Sequence, residues 1–266
     1  MTRHPLPTLP ITDRLTAISD HLAADNRLVL SAPPGAGKTT LVPLHLLDQP
    51  WRADGRIILL EPRRLAARAA AARMANLIGE SVGATVGYRM RLDNRISTQT
   101  RIEVVTEGVF VRMILEDPEL TGVCAVIFDE FHERSLDADF GLALALDAQS
   151  ALRPDLKIIV MSATLDVERV TRLMGQSEAV ISEGRSFPVE VRYRDRSNNE
   201  RLEDTMASAI MSALATEDGS ILAFLPGQAE IRRVAERLEG RVGADVMVTP
   251  LYGNLSQAEQ DAAIRP

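Results

Sequence analysis

The sequence predicts an α/β fold with a mostly parallel sheet, on two observations. Short β-branched apolar runs alternate with longer segments of helical period, the pattern of strand-helix-strand units. With 266 residues, 45% of them hydrophobic, the chain is long enough to bury a sizeable core.

Strands are expected where the aliphatic runs lie: Arg27 to Ala32, Arg56 to Glu61, Arg101 to Val105, Cys124 to Asp129, Lys157 to Met161 and Ala179 to Ser182. Helices are expected between them, at Thr39 to Leu47, Arg63 to Leu77, Gly108 to Glu116, Leu136 to Leu152 and Asp166 to Met174. Parallel strands joined by helical crossovers gather their loops at the carboxyl edge of the sheet, where open α/β folds bind ligands. From Glu183 to Arg196 the pattern turns extended and arginine-rich, contains Phe187-Pro188, and gives way to the polar Ser197-Asn198-Asn199. This reads as a junction, with a first domain over 1–184, a linker over 185–200 and a second unit over 201–266. The second unit is expected to carry a helix from Leu202, a strand at Ser220 to Leu225, a helix at Gln228 to Leu238, a strand at Asp245 to Thr249 and a helix from Ser256. It has about half the ~150 residues of a full α/β domain, so its sheet is expected to end in an open edge.

A formal charge of -7 argues against a protein that coats nucleic acid by bulk electrostatics, although basic patches are compatible with it. The single cysteine, Cys124, lies within an apolar run and suits a reducing cytoplasm. No run approaches ~18 apolar residues, so neither export nor a membrane partner is expected. Of 30 basic residues only Lys38 and Lys157 are lysines, which singles out the lysine that follows Gly37.

That lysine stands in Ser31-Ala32-Pro33-Pro34-Gly35-Ala36-Gly37-Lys38-Thr39-Thr40, between an expected strand and an expected helix. This is the setting of a phosphate-binding loop. Glycines let the backbone curl so that amides from Gly35 to Thr40 point at phosphate oxygens. Lys38 would reach the terminal phosphates of a nucleotide, and Thr39 would place its hydroxyl on magnesium. Ala32 holds the place of the pattern's first glycine, and Pro33 and Pro34 have no amide to donate, so the match is near rather than full.

After the apolar run Val123 to Phe128 comes Asp129-Glu130-Phe131-His132-Glu133-Arg134. In isolation, two acids after a strand are helix caps. Beside a phosphate loop they divide the work of hydrolysis: Asp129 and Glu130 as the acidic magnesium site, Glu130 as the group that orients and deprotonates water. His132-Glu133 is not a zinc-protease signature, because the second histidine is absent and Leu136 stands in its place. His132 is either a packed polar residue or a relay from the nucleotide. Ser162-Ala163-Thr164 is either a cap before Asp166 or a coupling element, and its place beside the site favours coupling through Ser162 and Thr164.

Taken with Glu61-Pro62-Arg63-Arg64-Leu65-Ala66-Ala67, Thr106-Glu107-Gly108 and Phe224-Leu225-Pro226-Gly227, these motifs resemble, in order, the DEAH-box group of superfamily-two helicases and within it the bacterial HrpB-type branch. The resemblance implies a RecA-like phosphate-loop domain followed by an incomplete second one. It implies ATP, or another nucleoside triphosphate, and magnesium as cofactors, and a single strand of nucleic acid, RNA before DNA, as partner. Arg63, Arg64, Thr106 and Gly108 are then expected to hold the strand's backbone, with Gly227 doing so from the second domain. The bland alternative makes Arg63, Arg64, Arg68 and Arg73 the solvated face of an alanine-rich helix; it is preferred here for Arg68 and Arg73 only. Ala32 for glycine, Glu61 for glutamine and Phe131 for alanine depart from the commoner pattern. Nothing after Leu255 resembles the family's later motifs, so this polypeptide is expected to bind nucleotide, hydrolyse it slowly and not unwind duplexes. A small-molecule kinase and a non-catalytic nucleic-acid adaptor are the rival readings; no lid segment speaks for the first, and Glu130 speaks against the second.

Overall fold

The computed structural model describes residues 6–263 apart from 164–166, 176–177, 185–187 and 196–198. The chain divides into two compact units, Met1–Phe187 and Pro188–Pro266.

In the first unit α1 (Leu15–Ala24) leads into β1 (Arg27–Ser31), α2 (Lys38–Leu46), β2 (Arg56–Glu61), α3 (Arg64–Leu77), β3 (Val86–Met90), β4 (Asp93–Arg95), β5 (Ile102–Thr106), α4 (Glu107–Glu116), β6 (Val123–Phe128), α5 (Leu136–Ala151), β7 (Lys157–Ser162), α6 (Val167–Leu173) and β8 (Ala179–Ile181). The strands form one sheet in the order β4-β3-β5-β2-β6-β7-β1-β8, parallel throughout except for the β3–β4 hairpin. The expected α/β class and parallel sheet are therefore present. The six strands expected in this unit all form, within a residue of the expected ends.

The central strands are apolar along their length because both faces are covered. Side chains of a strand alternate faces, and the two cores record it. Leu28 and Leu30, Ile57 and Leu59, Ala125 and Ile127, Ile159 and Met161 join one core with Leu22, Leu41 and Ala71. Val29, Ile58 and Leu60, Val126 and Phe128, Ile158 and Val160 join the other with Phe110, Leu142 and Val170. Cys124 is buried beside Gly55, and its Sγ lies 3.2 Å from the Arg56 carbonyl oxygen; burial pushes its thiol up to about 11.

Helix α1 and the β3–β4 hairpin are additions to what the sequence suggested. Leu15, Ile18 and Leu22 are the buried stripe of α1. In β3, Arg89 is interrupted polar sequence only superficially, since its Nε pairs at 2.6 Å with Glu103 of β5, which also binds Arg56 at 3.1 Å. A buried acid on a central strand is tolerated because two guanidinium groups meet it.

In the second unit α7 (Leu202–Thr216) and α8 (Gln228–Leu238) pack through Ala207, Val234 and Leu238, and α9 (Gln257–Ala263) follows. Glu203 and Asp204 at the start of α7 bind Arg233 and Arg237 of α8 at 2.9 and 2.5 Å. The strands expected at 220–225 and 245–249 do not form. Their apolar runs are real, but a strand exists only against a hydrogen-bonded neighbour; here Leu222, Phe224 and Met247 are 77%, 82% and 80% exposed.

Phe110 of α4 is fully buried, meets Phe128 edge-on at 5.6 Å between ring centroids and lies against Gly141 of α5. Phe110→Ala is expected to lower unfolding free energy by about 3–5 kcal/mol, read from urea denaturation; a loss under about 1 kcal/mol would mean that α4 and α5 do not meet through this ring.

Candidate nucleotide site

The sheet register delivers the site. Glu61 ends β2 opposite Thr106 of β5, Leu60 faces Phe128 of β6, and Ser31 of β1 faces Ser162 of β7. The loops after β1, β2, β5, β6 and β7 therefore leave one carboxyl edge.

After β1 the chain turns at Pro33 to Ala36, where the Ala36 amide donates to the Pro33 carbonyl at 3.2 Å. Gly35 and Gly37 adopt positive φ, 77° and 92°, which a side chain would resist. Helix α2 then starts at Lys38, so the Lys38 and Thr39 amides lie in its first turn with no helical acceptor, while the Thr40 amide donates to the Gly37 carbonyl at 3.3 Å. Lys38 is buried, and its Nζ lies 2.8 Å from Glu130 Oε1 and 4.0 Å from Asp129 Oδ1. Thr39 donates its hydroxyl to Asp129 Oδ2 at 2.5 Å. Thr40 turns its hydroxyl back to the Gly37 carbonyl at 3.5 Å.

Across the edge, Asp129 is buried and accepts the Glu130 amide at 2.8 Å. Glu130 holds a left-handed backbone, φ 49°, and Arg134 another, φ 53°. Strain of this kind costs on the order of 1 kcal/mol or more per residue and persists only where the surroundings enforce it. The enforcing group is Phe131, buried and edge-on to Phe128 at 6.3 Å, with Arg134 stacked over its ring at 5.5 Å. The phenyl that departs from the commoner motif thus anchors the turn. His132 Nδ1 stands 3.3 Å from Glu130 Oε2.

Glu61 belongs to this cluster, although the sequence offered it only as a replacement for glutamine. It is buried, and its carboxyl is pushed up to about 9, mainly by burial, with the Asp129 and Glu130 carboxylates adding to the effect and Lys38 opposing it. Burial raises the Asp129 carboxyl too, against the Lys38 charge, the Thr39 hydroxyl and the Glu130 amide, which favour its ionised form; Glu61 has a hydrogen bond to Asp129 itself, which raises it further. The signal that could have found it is an acid closing the otherwise apolar run Ile57 to Leu60.

Arg63 Nη2 lies 3.0 Å from Glu133 Oε1, which joins the loop after β2 to the turn after β6; Arg64 is exposed at the start of α3. Thr106 and Gly108 flank the start of α4, with Asp137 Oδ2 of α5 beside Gly108. Arg68 binds Asp93 at 2.7 Å. Ser162 is buried at the end of β7, where its carbonyl accepts the Ala32 amide at 2.9 Å. Thr164 lies outside the described residues. Gly227 belongs to the second unit and precedes α8 in an ordinary extended conformation.

A DEAD/DEAH box helicase profile matches residues 13–173, a span that includes the phosphate loop, the acidic turn and Ser162. The chain belongs to the DEAD/DEAH box helicase family. It is 53% identical over 261 residues to the ATP-dependent RNA helicase HrpB of Escherichia coli, covering 98% of this chain and 32% of that protein. It is 35% identical over 262 residues to an ATP-dependent RNA helicase HrpA homolog of Haemophilus influenzae, covering 97% of this chain and 20% of the relative. The crystal structure of the E. coli DEAH/RHA helicase HrpB matches with a TM-score of 0.90 over 97% of this chain and 33% of that one. The chain thus spans about a third of the length of HrpB. The fold of the first unit is accordingly that of a RecA-like helicase domain. Among the described residues no helix is long and apolar enough to cross a membrane.

The donor set suits one kind of metal. Thr39, Asp129 and Glu130 offer only hard oxygens, and magnesium takes one or two protein ligands alongside phosphates and water.

Between about 4.5 and 9 the folded protein carries a proton on Glu61 that the unfolded chain has lost. Stability without nucleotide should therefore fall as pH rises through that window, by at most about 1.4 kcal/mol per pH unit from this group. Urea midpoints from pH 5 to 9 should show the decline in the wild type and a flatter profile in Glu61→Gln; parallel profiles would place the proton elsewhere.

Proposed function

We propose that this site binds and hydrolyses ATP, or another nucleoside triphosphate, with magnesium, and that the chain couples hydrolysis to movement along single-stranded nucleic acid, RNA in preference to DNA. The observation that carries the reading is the convergence of Lys38 and Thr39 on Asp129 and Glu130 across three strands of one sheet. The names of the relatives, ATP-dependent RNA helicases, support the nucleotide and the track.

In this reading the amides from Gly35 to Thr40 take phosphate oxygens and Lys38 shifts from Glu130 towards the terminal phosphates. A magnesium ion held by Thr39, Asp129 and Glu130, usually through water, would neutralise phosphate charge. Glu130, relieved of Lys38, accepts the proton of a water molecule whose oxygen bonds to the terminal phosphorus as the bond from phosphorus to the bridging oxygen breaks. His132 relays from Glu130, and Ser162 with Thr164 couples the site to the strand. Arg63, Arg64, Thr106 and Gly108, with Gly227 from the second unit, hold the phosphate backbone, which positions a strand without reading its sequence. Residues 1–184 then form the first motor domain, 185–200 its linker and 201–266 the N-terminal part of the second. A single buried cysteine supports a cytoplasmic setting.

ATP turnover by the chain with and without single-stranded RNA or DNA tests the reading, and RNA is expected to stimulate it most. Glu130→Gln should lower turnover by about 10² or more while keeping nucleotide affinity, and Lys38→Ala should lose affinity. Turnover unchanged in both variants would remove the assignment.

Arg63→Gln should weaken binding of RNA oligonucleotides of any sequence alike and lower the salt dependence by about one unit of slope. Sequence-dependent loss, or none, in a titration across salt concentrations would mean that Arg63 serves only Glu133.

A further inference from the structure

The segment ahead of α1 sits directly on the phosphate loop. Ile11 is fully buried, and its amide donates to the Ala36 carbonyl at 3.0 Å. Leu9 and Ile11 cover the backbone of Gly37 so closely that a Cβ there would stand 2.7 Å from Leu9 Cδ1 and 3.3 Å from Ile11 Cγ2. The segment is itself fixed. The Leu9 amide donates to Thr12 Oγ1 at 3.0 Å, the Thr12 amide donates to the Leu9 carbonyl at 2.8 Å, and Ser182, just past β8, donates its hydroxyl to the Pro10 carbonyl at 3.3 Å.

The peptide joining Ala36 to Gly37 is planar and trans, so its carbonyl and its N–H point in opposite directions. Ile11 draws the Ala36 carbonyl towards the segment, and the Gly37 N–H is thereby aimed away from it. This loop needs such a brace more than most. Gly37 at φ 92° has wide conformational freedom, and Pro33 and Pro34 contribute no amides, so fewer donors must be better held.

We propose that Leu9 and Ile11 are positioning residues for nucleotide binding: they hold the Gly37 amide in its phosphate-binding orientation and so set affinity for the polyphosphate of a nucleoside di- or triphosphate. The proposal rests on the nucleotide-site reading above. Loss of the brace leaves the amide free to rotate before binding, and ordering it then counts against affinity. The chemical groups that act on water are untouched.

Leu9→Ala, Ile11→Ala and Ile11→Val, with Lys38→Ala as reference, test this in the full chain by titration with ADP and with a non-hydrolysable ATP analogue, together with ATP turnover, RNA oligonucleotide affinity and thermal unfolding without nucleotide. Leu9→Ala and Ile11→Ala are expected to weaken both nucleotides by about 5- to 30-fold, the scale of one hydrogen bond to a charged group, and to raise KM with kcat at saturation within about twofold. Ile11→Val, which keeps the β-branched contact, restores affinity, and oligonucleotide binding without nucleotide stays as in the wild type. Leu9→Ala is the decisive variant, because Leu9 is only half-buried and its truncation leaves the sheet intact. Nucleotide affinity within about twofold of wild type in Leu9→Ala, or a parallel loss of oligonucleotide affinity, overturns the positioning role. Wild-type affinity in Lys38→Ala overturns the site reading itself, and the proposal with it.

Discussion

The site turns on one buried ammonium among three carboxyl groups. Lys38 is 4% exposed and Asp129 and Glu61 are 3% each, with Glu130 on the outer side of the group. An isolated charge at such depth is costly, and a second or third carboxylate beside the first is more so. The cluster is tolerable because Lys38 offsets the negative charge, the Thr39 hydroxyl and the Glu130 amide donate to Asp129, and Glu61 keeps its proton. With Glu61 neutral, one cation faces two anions. The local charge that remains is negative and hard, which is the electrostatic condition for a divalent cation to be welcome.

Bringing those groups together places demands on the whole first unit. Lys38 and Thr39 come from the end of β1 and Asp129 and Glu130 from the end of β6, with β7 lying between. A slip of one residue in any of these pairings would exchange the core faces of a strand buried on both sides. Large side chains such as Phe128 and Met161, adjacent to the site, therefore fix register as well as fill space. The left-handed backbone at Glu130 is held against strain by the packing of Phe131 on Phe128, so the carboxylate proposed to act on water is oriented by an aromatic contact.

Much of this could be read from the sequence because buried parallel strands and a glycine-lysine loop leave strong local signals. Ile57 to Leu60 and Ile158 to Val160 have few alternatives to a central strand, and Gly35 to Thr39 few to a phosphate loop after one. The failures share a cause. The β3–β4 hairpin is concealed by Gly87, where a Cβ would run into the Arg95 carbonyl, and by Arg89, which pairs with Glu103 on another strand. The segments 220–225 and 245–249 carry strand-like apolar runs, but an apolar run cannot supply a neighbour. Glu61 shows as a single substitution in a motif, while its significance lies in Asp129, Glu130 and Lys38, far away in the chain. Local patterns announce elements; burial and charge acquired from distant residues do not.

The segment 9–11 extends the same point to the loop itself. Prolines at positions 5, 7 and 10 break up that stretch, and nothing in the glycine-lysine motif asks for it. Yet a loop whose first glycine is Ala32 and whose next two residues are prolines has exchanged flexibility for shape. Such a loop gains from being braced from outside at Gly37, where Leu9 and Ile11 rest. The substitutions that weaken the motif as a pattern and the packing that the pattern omits are two halves of one arrangement: a stiffer loop with fewer donors, held by its neighbours rather than by its own glycines.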